Sequence, residues 1–118
     1  MIPYPINEIA DRHSICRLKE ERAAVDMSKE MNIYEEELKQ YNGSIWNYVE
    51  RLYQINGEIW DLEAAIRQGL DDELGLEEIG RRAIEIRNKN KIRISIKNEI
   101  VDAFGEGFRD IKVNHGSE

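Results

Sequence analysis

Proline stands at Pro3 and Pro5 and nowhere later in the 118 residues. A proline inside a helix removes a backbone donor and clashes with the preceding turn, so everything after residue 5 is free to be helical. Glycines and capping residues are the remaining punctuation, and they divide the chain into four segments. The spacing predicts a first helix from about Ile6 to Val25, followed by Asp26 and Ser28 as capping residues. A second helix, about Lys29 to Tyr41, repeats Met27, Met31, Tyr34, Leu38 and Tyr41 at alternating three- and four-residue steps, which marks one apolar helical face. Asn42, Gly43 and Ser44 then form a turn whose serine is placed to accept a hydrogen bond from the next helix. A third helix runs from about Ile45 to Gln68, GLDDELG reads as a turn between Gly69 and Gly75, and a fourth helix runs from about Leu76 to Phe104.

The expected fold is all-α, an elongated antiparallel bundle of about four helices. Residues 1–104 form one domain, and residues 105–118, GEGFRDIKVNHGSE, form a short arm or a disordered tail. A chain of this length buries roughly two-thirds of its unfolded surface, which is enough for a core. The two longest helices reach roughly 35 to 45 Å at 1.5 Å per residue, so a homo-oligomer is expected.

Charge and composition remove several function classes. The net charge of −7 argues against binding a nucleic-acid backbone, which needs a basic face. At 41% hydrophobic and 35% charged, the chain reads as a soluble globular protein. It has no apolar run long enough to span a membrane, and MIPYPINEIADR lacks the charged and apolar regions of a signal peptide. The single Cys16 cannot form an internal disulfide and fits a reducing compartment, so a cytoplasmic protein is expected. Cys16 lies three residues from His13, and its simplest reading is a packed thiol. The other histidine, His115, is in the polar tail, so a metal cluster has little support. There is no Walker-type or Rossmann-type glycine loop, and no cofactor is implied.

The informative feature is what interrupts the apolar stripes. Advancing about 100° per residue, the fourth helix places Ile79, Ala83, Ile86, Ile100, Val101 and Phe104 on one face, with Asn90, Arg93 and Lys97 in the middle of it. On the third helix, Ile45, Val49, Leu52, Ile59, Trp60, Ile66 and Leu70 share a stripe that Asn56, Glu63 and Arg67 interrupt. A buried charge must be paired or hydrogen-bonded. Glu63 is the one acid on either stripe and faces Arg67, Arg93 and Lys97. Glu63 is therefore expected within salt-bridge reach of Arg93 or Lys97, and the excess of cations leaves capacity for a carboxylate or phosphate.

Three stretches carry a family resemblance. DRHSICRLKEER, through Asp11, Ser14, Ile15, Leu18, Lys19 and Arg22, is similar to the first-helix motif of small helical proteins found in bacterial surface-polysaccharide gene clusters and tailed-phage genomes. INGEIWDLEAAIR resembles that family's most distinctive motif through Asn56, Trp60, Asp61, Glu63 and Arg67. NKIRISIKNEI resembles its last motif through Asn90, Arg93, Ile96 and Lys97. Arg12 stands where lysine is usual, His13 where an aliphatic is, and Lys91 where an acid is. The resemblance covers most of the chain and implies a helical fold; it implies no activity.

Stripes and resemblance meet on the same residues. The leading expectation is recognition of a small anionic ligand, such as a nucleotide or sugar phosphate, by Arg67, Arg93 and Lys97, with Asn56 and Asn90 orienting it and Glu63 holding the cations. The alternative is a structural or interaction module in which the polar residues fix helix register. An enzyme of the all-α, Mg²⁺-dependent nucleotide pyrophosphatase kind would need paired acids on adjacent helices. EIWD and EIVD offer Glu58 with Asp61 and Glu99 with Asp102, but both pairs fall opposite the apolar stripe, where a solvated acidic face is expected.

Overall fold

The structure, a computed structural model, describes residues 4–71 and 75–105, with the side chains of 69–71 not described. Among the described residues four helices follow in order: α1 (Ile6–Ala23), α2 (Ser28–Leu38), α3 (Ile45–Asp71) and α4 (Leu76–Phe104). No strand occurs among the described residues, so the fold is an all-α bundle. The Asp72–Leu74 part of the predicted turn, the side chain of Leu70 and residues 106–118 of the predicted tail lie outside the described residues.

Helix ends follow local chemistry. Pro5 holds an extended backbone, and its carbonyl accepts the N–H groups of Glu8 and Ile9 at 3.0 Å, so α1 starts at the first residue that can join a helix. It stops two residues before the predicted Val25 because Ala24 adopts a left-handed conformation, φ 54°. Asp26 does not cap α2 directly. Its Oδ1 accepts the Ser28 backbone N–H at 3.0 Å and the Ser28 hydroxyl at 2.7 Å, and these bonds hold its carboxyl below the usual aspartate range. α2 ends at Leu38 rather than Tyr41, since Gln40 and Tyr41 turn back to Glu37 and Leu38 in tighter three-residue hydrogen bonds. Asn42 then closes the turn through its own Oδ1, which accepts the Ser44 N–H at 2.9 Å. α4 has the predicted bounds, and Gly105 ends it at φ 69° with its N–H on Val101.

The core draws on every helix: Ile6, Ile9 and Ala10 from α1, Leu38 from α2, Ile45, Val49, Leu52, Ile55 and Ile59 from α3, and Ile96 and Ile100 from α4. Phe104 meets Tyr41 and Tyr48 edge-on, with centroids 5.7 and 6.1 Å apart. α1 packs on α2, α3 and α4, and Gly57 of α3 sits directly against it. A Cβ there would lie 3.3 Å from Arg22 Nη2 and 3.5 Å from Leu18 Cδ2.

Burial is uneven along the long helices. Among the described side chains, the buried apolar residues of α3 end at Ile59, and those of α4 are confined to Ile96 and Ile100. Ala83, expected on the core-facing stripe of α4, is exposed. The helical period put it on the same face as Ile100, but no residue of α4 before Ile96 is buried. No helix among the described residues is long and apolar enough to cross a membrane.

Candidate functional site

The interior polar cluster centres on Asn56, buried near the midpoint of α3. Its amide donates to Asp11 Oδ1 and to Ser14 Oγ, both at 2.9 Å, and Ser14 in turn donates to the Asp11 carbonyl at 2.7 Å. Asp11 and Ser14 face it because they lie three apart on α1, one turn along the same face. From α4, Arg93 meets the Asp11 carboxylate side-on, with Nε on Oδ1 at 3.0 Å and Nη2 on Oδ2 at 2.5 Å. The Asp11 side chain is 2% exposed and that of Arg93 29%. One turn further, Lys97 Nζ holds Glu8 Oε2 at 2.6 Å.

This pairing corrects the expectation for Glu63. The acids that neutralise Arg93 and Lys97 come from α1, not from α3. Glu63 is exposed and forms no ion pair with either cation. Counting acids on the stripes of α3 and α4 alone had made the cations look like a surplus. A third helix crossing both supplies Asp11 and Glu8. Removing Glu63 therefore strands no buried cation. Arg67 is also exposed.

Two clefts open on either side of Arg93. The first, about 320 Å³, lies between α1, α3 and α4 and is lined by Asn56, Glu63, Asn90 and Arg93 together with Trp60 and the aliphatic groups of Ile15, Leu18 and Ile59. Four residues singled out by the interrupted stripes thus share one cavity, whereas Arg67 and Lys97 do not line it. The second cleft, about 390 Å³, lies between α1, α2 and α4. Arg12, Lys19 and Glu30 join Glu8, Asp11 and Arg93 in its lining, beside Cys16 and Tyr34.

No protein family, curated protein or solved structure matches the chain.

Two of the motif stretches nevertheless interlock in space. Asn56 binds Asp11 and Ser14, Gly57 sits against Leu18 and Arg22, and Asp61 pairs with Arg22. Asp11 was legible as a motif residue but not as the partner of Arg93, because no helical period relates residues 82 apart.

Other candidates resolve into packing or surface pairs. Cys16 is buried, and burial, reinforced by the nearby Glu30 carboxylate, pushes its thiol up from the ordinary cysteine value. It remains a protonated thiol, unsuited to nucleophilic attack. His13 is buried too. Its Nε2 lies 3.0 Å from Glu35 Oε2, and its ring meets Trp46 edge-on at 5.4 Å. It ties α1 to α2 and α3, a role that spacing alone did not show.

Three acids of the two pairs are occupied by cations of neighbouring helices. Glu58 takes Lys89 at 2.6 Å, Asp61 takes Arg22, and Glu99 accepts both ends of the Arg51 guanidinium at 2.8 Å, which holds the Glu99 carboxyl below its ordinary value. Among the described residues no group of three or more acids, histidines or cysteines is placed to share a metal ion. Calorimetric titration with Mg²⁺ is expected to show no tight site. A tight site that disappears in Glu58→Gln would restore the metal-enzyme reading.

Proposed function

We propose that this protein binds a small, ring-bearing polar ligand of the sugar or sugar-phosphate class in the cleft between α1, α3 and α4. The observation that carries the reading is the convergence of Asn56, Glu63, Asn90 and Arg93 on one cleft with Trp60 in its wall. Small-ligand sites combine an apolar or aromatic wall with a few polar groups that fix orientation. A sugar ring offers an apolar face to an indole and hydroxyls that both donate and accept. Glu63 accepts, the Asn90 amide does both, and Arg93 donates.

The pairing of Arg93 with Asp11 and of Lys97 with Glu8 moves the emphasis from the anion to the ring. A phosphate entering this cleft meets one already neutralised guanidinium and the Glu63 carboxylate, so recognition rests on hydroxyls and stacking. The motif resemblance to helical proteins of surface-polysaccharide gene clusters and phages belongs to the same proposal. So do a cytoplasmic location and self-association.

The second reading is a structural or interaction module, supported by how completely α1 pairs the two inward cations. A thermal-shift panel of sugars, sugar phosphates and nucleotides, with and without Mg²⁺, separates the two. Ligand binding predicts a rise in Tm for a sugar-bearing compound that disappears in Trp60→Ala and in Glu63→Gln while both variants stay helical. If no compound raises Tm, or the rise survives both substitutions, the architectural reading replaces it.

A further inference from the structure

The cleft between α1, α2 and α4 lies on the other side of Arg93 from the sugar cleft, and pairing does not use up its charges. Arg93 is taken by Asp11, and Glu8 by Lys97. That leaves Arg12 and Lys19 on the α1 wall and Glu30 on the α2 wall. Among the described residues, no carboxylate lies within salt-bridge reach of Arg12 or Lys19. Arg12 sits over the Tyr4 ring at 3.9 Å, a contact that offers its N–H donors no oxygen, and its Nε is buried with no protein acceptor. A buried donor left unmatched is costly, and a charged one more so.

Helical spacing brings these groups together. Arg12, Cys16 and Lys19 follow at i, i+4 and i+7 on one face of α1, with about 10 Å of helix between the two cations. Glu30 and Tyr34, also four apart, line the cleft from α2. The Cys16 thiol registers all three charges: burial raises its pKa most, Glu30 raises it further, and Lys19 and Arg12 lower it.

We infer that this second cleft is an anion site, in which Arg12 and Lys19 bind the carboxylate or phosphate of a small molecule whose hydroxyl groups face Glu30 and Tyr34. At about 390 Å³ the cleft has the size of a small-molecule pocket. The guanidinium supplies a planar fork of donors matched to two oxygens of either anion, and the ammonium adds a point charge. The chain as a whole carries −7 and repels anions, so binding has to come from donors gathered locally. Anion recognition, expected from the α3 and α4 stripes, thus passes to two bases of α1. The inference goes beyond the sugar reading and does not depend on it: Arg12 and Lys19 do not line the sugar cleft, and Trp60 and Glu63 do not line this one.

The test is calorimetric titration of the intact protein with inorganic phosphate and with gluconate, a hydroxylated carboxylate, at millimolar concentration. Glucose, which is uncharged, serves as the control that reports the sugar cleft alone. The expected result is binding of phosphate, gluconate or both that weakens about tenfold or more in Lys19→Gln and in Arg12→Gln and is unchanged in Trp60→Ala. Arg12→Lys, which keeps the charge without the fork, is expected to fall between wild type and Arg12→Gln. Whichever anion binds names the ligand's charged group. Lys19 is exposed, so Lys19→Gln leaves the packing intact and decides alone should Arg12→Gln fail to fold. No binding of either anion overturns the site, as does binding that survives both substitutions. Binding lost in Trp60→Ala but kept in Lys19→Gln overturns it too and places the anion in the sugar cleft. Anion binding without any response to sugars leaves this site standing and removes the sugar reading.

Discussion

Arg93→Met is expected to destabilise the fold by about 3 kcal/mol, the lower end of the range for breaking a buried ion pair by removing one partner. The size follows from which partner is left behind. Arg93 is 29% exposed in its side chain and reaches water, but Asp11, at 2% exposed, does not. Without the guanidinium, the Asp11 carboxylate keeps the Asn56 amide at 2.9 Å and little else to offset its desolvation. Urea denaturation gives the loss directly. Adding Asp11→Asn is expected to recover most of it, since the new amide retains an oxygen for Asn56 and carries no charge. If the double variant is as unstable as the single one, the ion pair is not the source of the loss.

Asn56→Asp is expected to be at least as damaging at neutral pH, on the order of 3 to 5 kcal/mol. The substitution keeps the shape but turns a donor into an acceptor. Two carboxylates then face each other where the 2.9 Å hydrogen bond from Asn56 to Asp11 now lies, and Ser14 loses the amide that donates to it. Like charges at that separation share a proton, so one carboxyl binds it more tightly in the folded protein than in the unfolded chain. The sign of the pH dependence follows from that raised affinity. The stability contributed by the shared proton is fully present below the unfolded carboxyl value, about 4, and is lost as pH rises through the raised folded value. The deficit relative to wild type is therefore expected to be smaller at pH 5 than at pH 7. Denaturation midpoints at the two pH values test this, and a deficit that is constant or grows on acidification contradicts it.

The two results bear differently on function. Stability measurements at Asp11, Asn56 and Arg93 report how the bundle is held together, whichever functional reading holds. Ligand-dependent shifts at Trp60 and Glu63 report the cleft, because neither residue belongs to the Asp11 network.

The sequence alone determined the helices and their limits to within a few residues, and it marked which residues were anomalous. Proline confined to the first five positions and glycines at the turns act locally, within one or two turns of helix, so they can be read in one dimension. The interrupted stripes were legible for the same reason: a 3.6-residue period needs no partner to show that Asn56, Asn90, Arg93 and Lys97 occupy apolar positions. What each polar residue faces was decided only when three helices came together. Electrostatic pairing depends on distance in space, and Asp11 with Arg93 and Glu8 with Lys97 are 82 and 89 positions apart. The helical period likewise could not show where cover stops. It placed Ala83 and Ile100 on one face of α4, but Ile100 is buried and Ala83 exposed, because burial depends on how far the neighbouring helices reach.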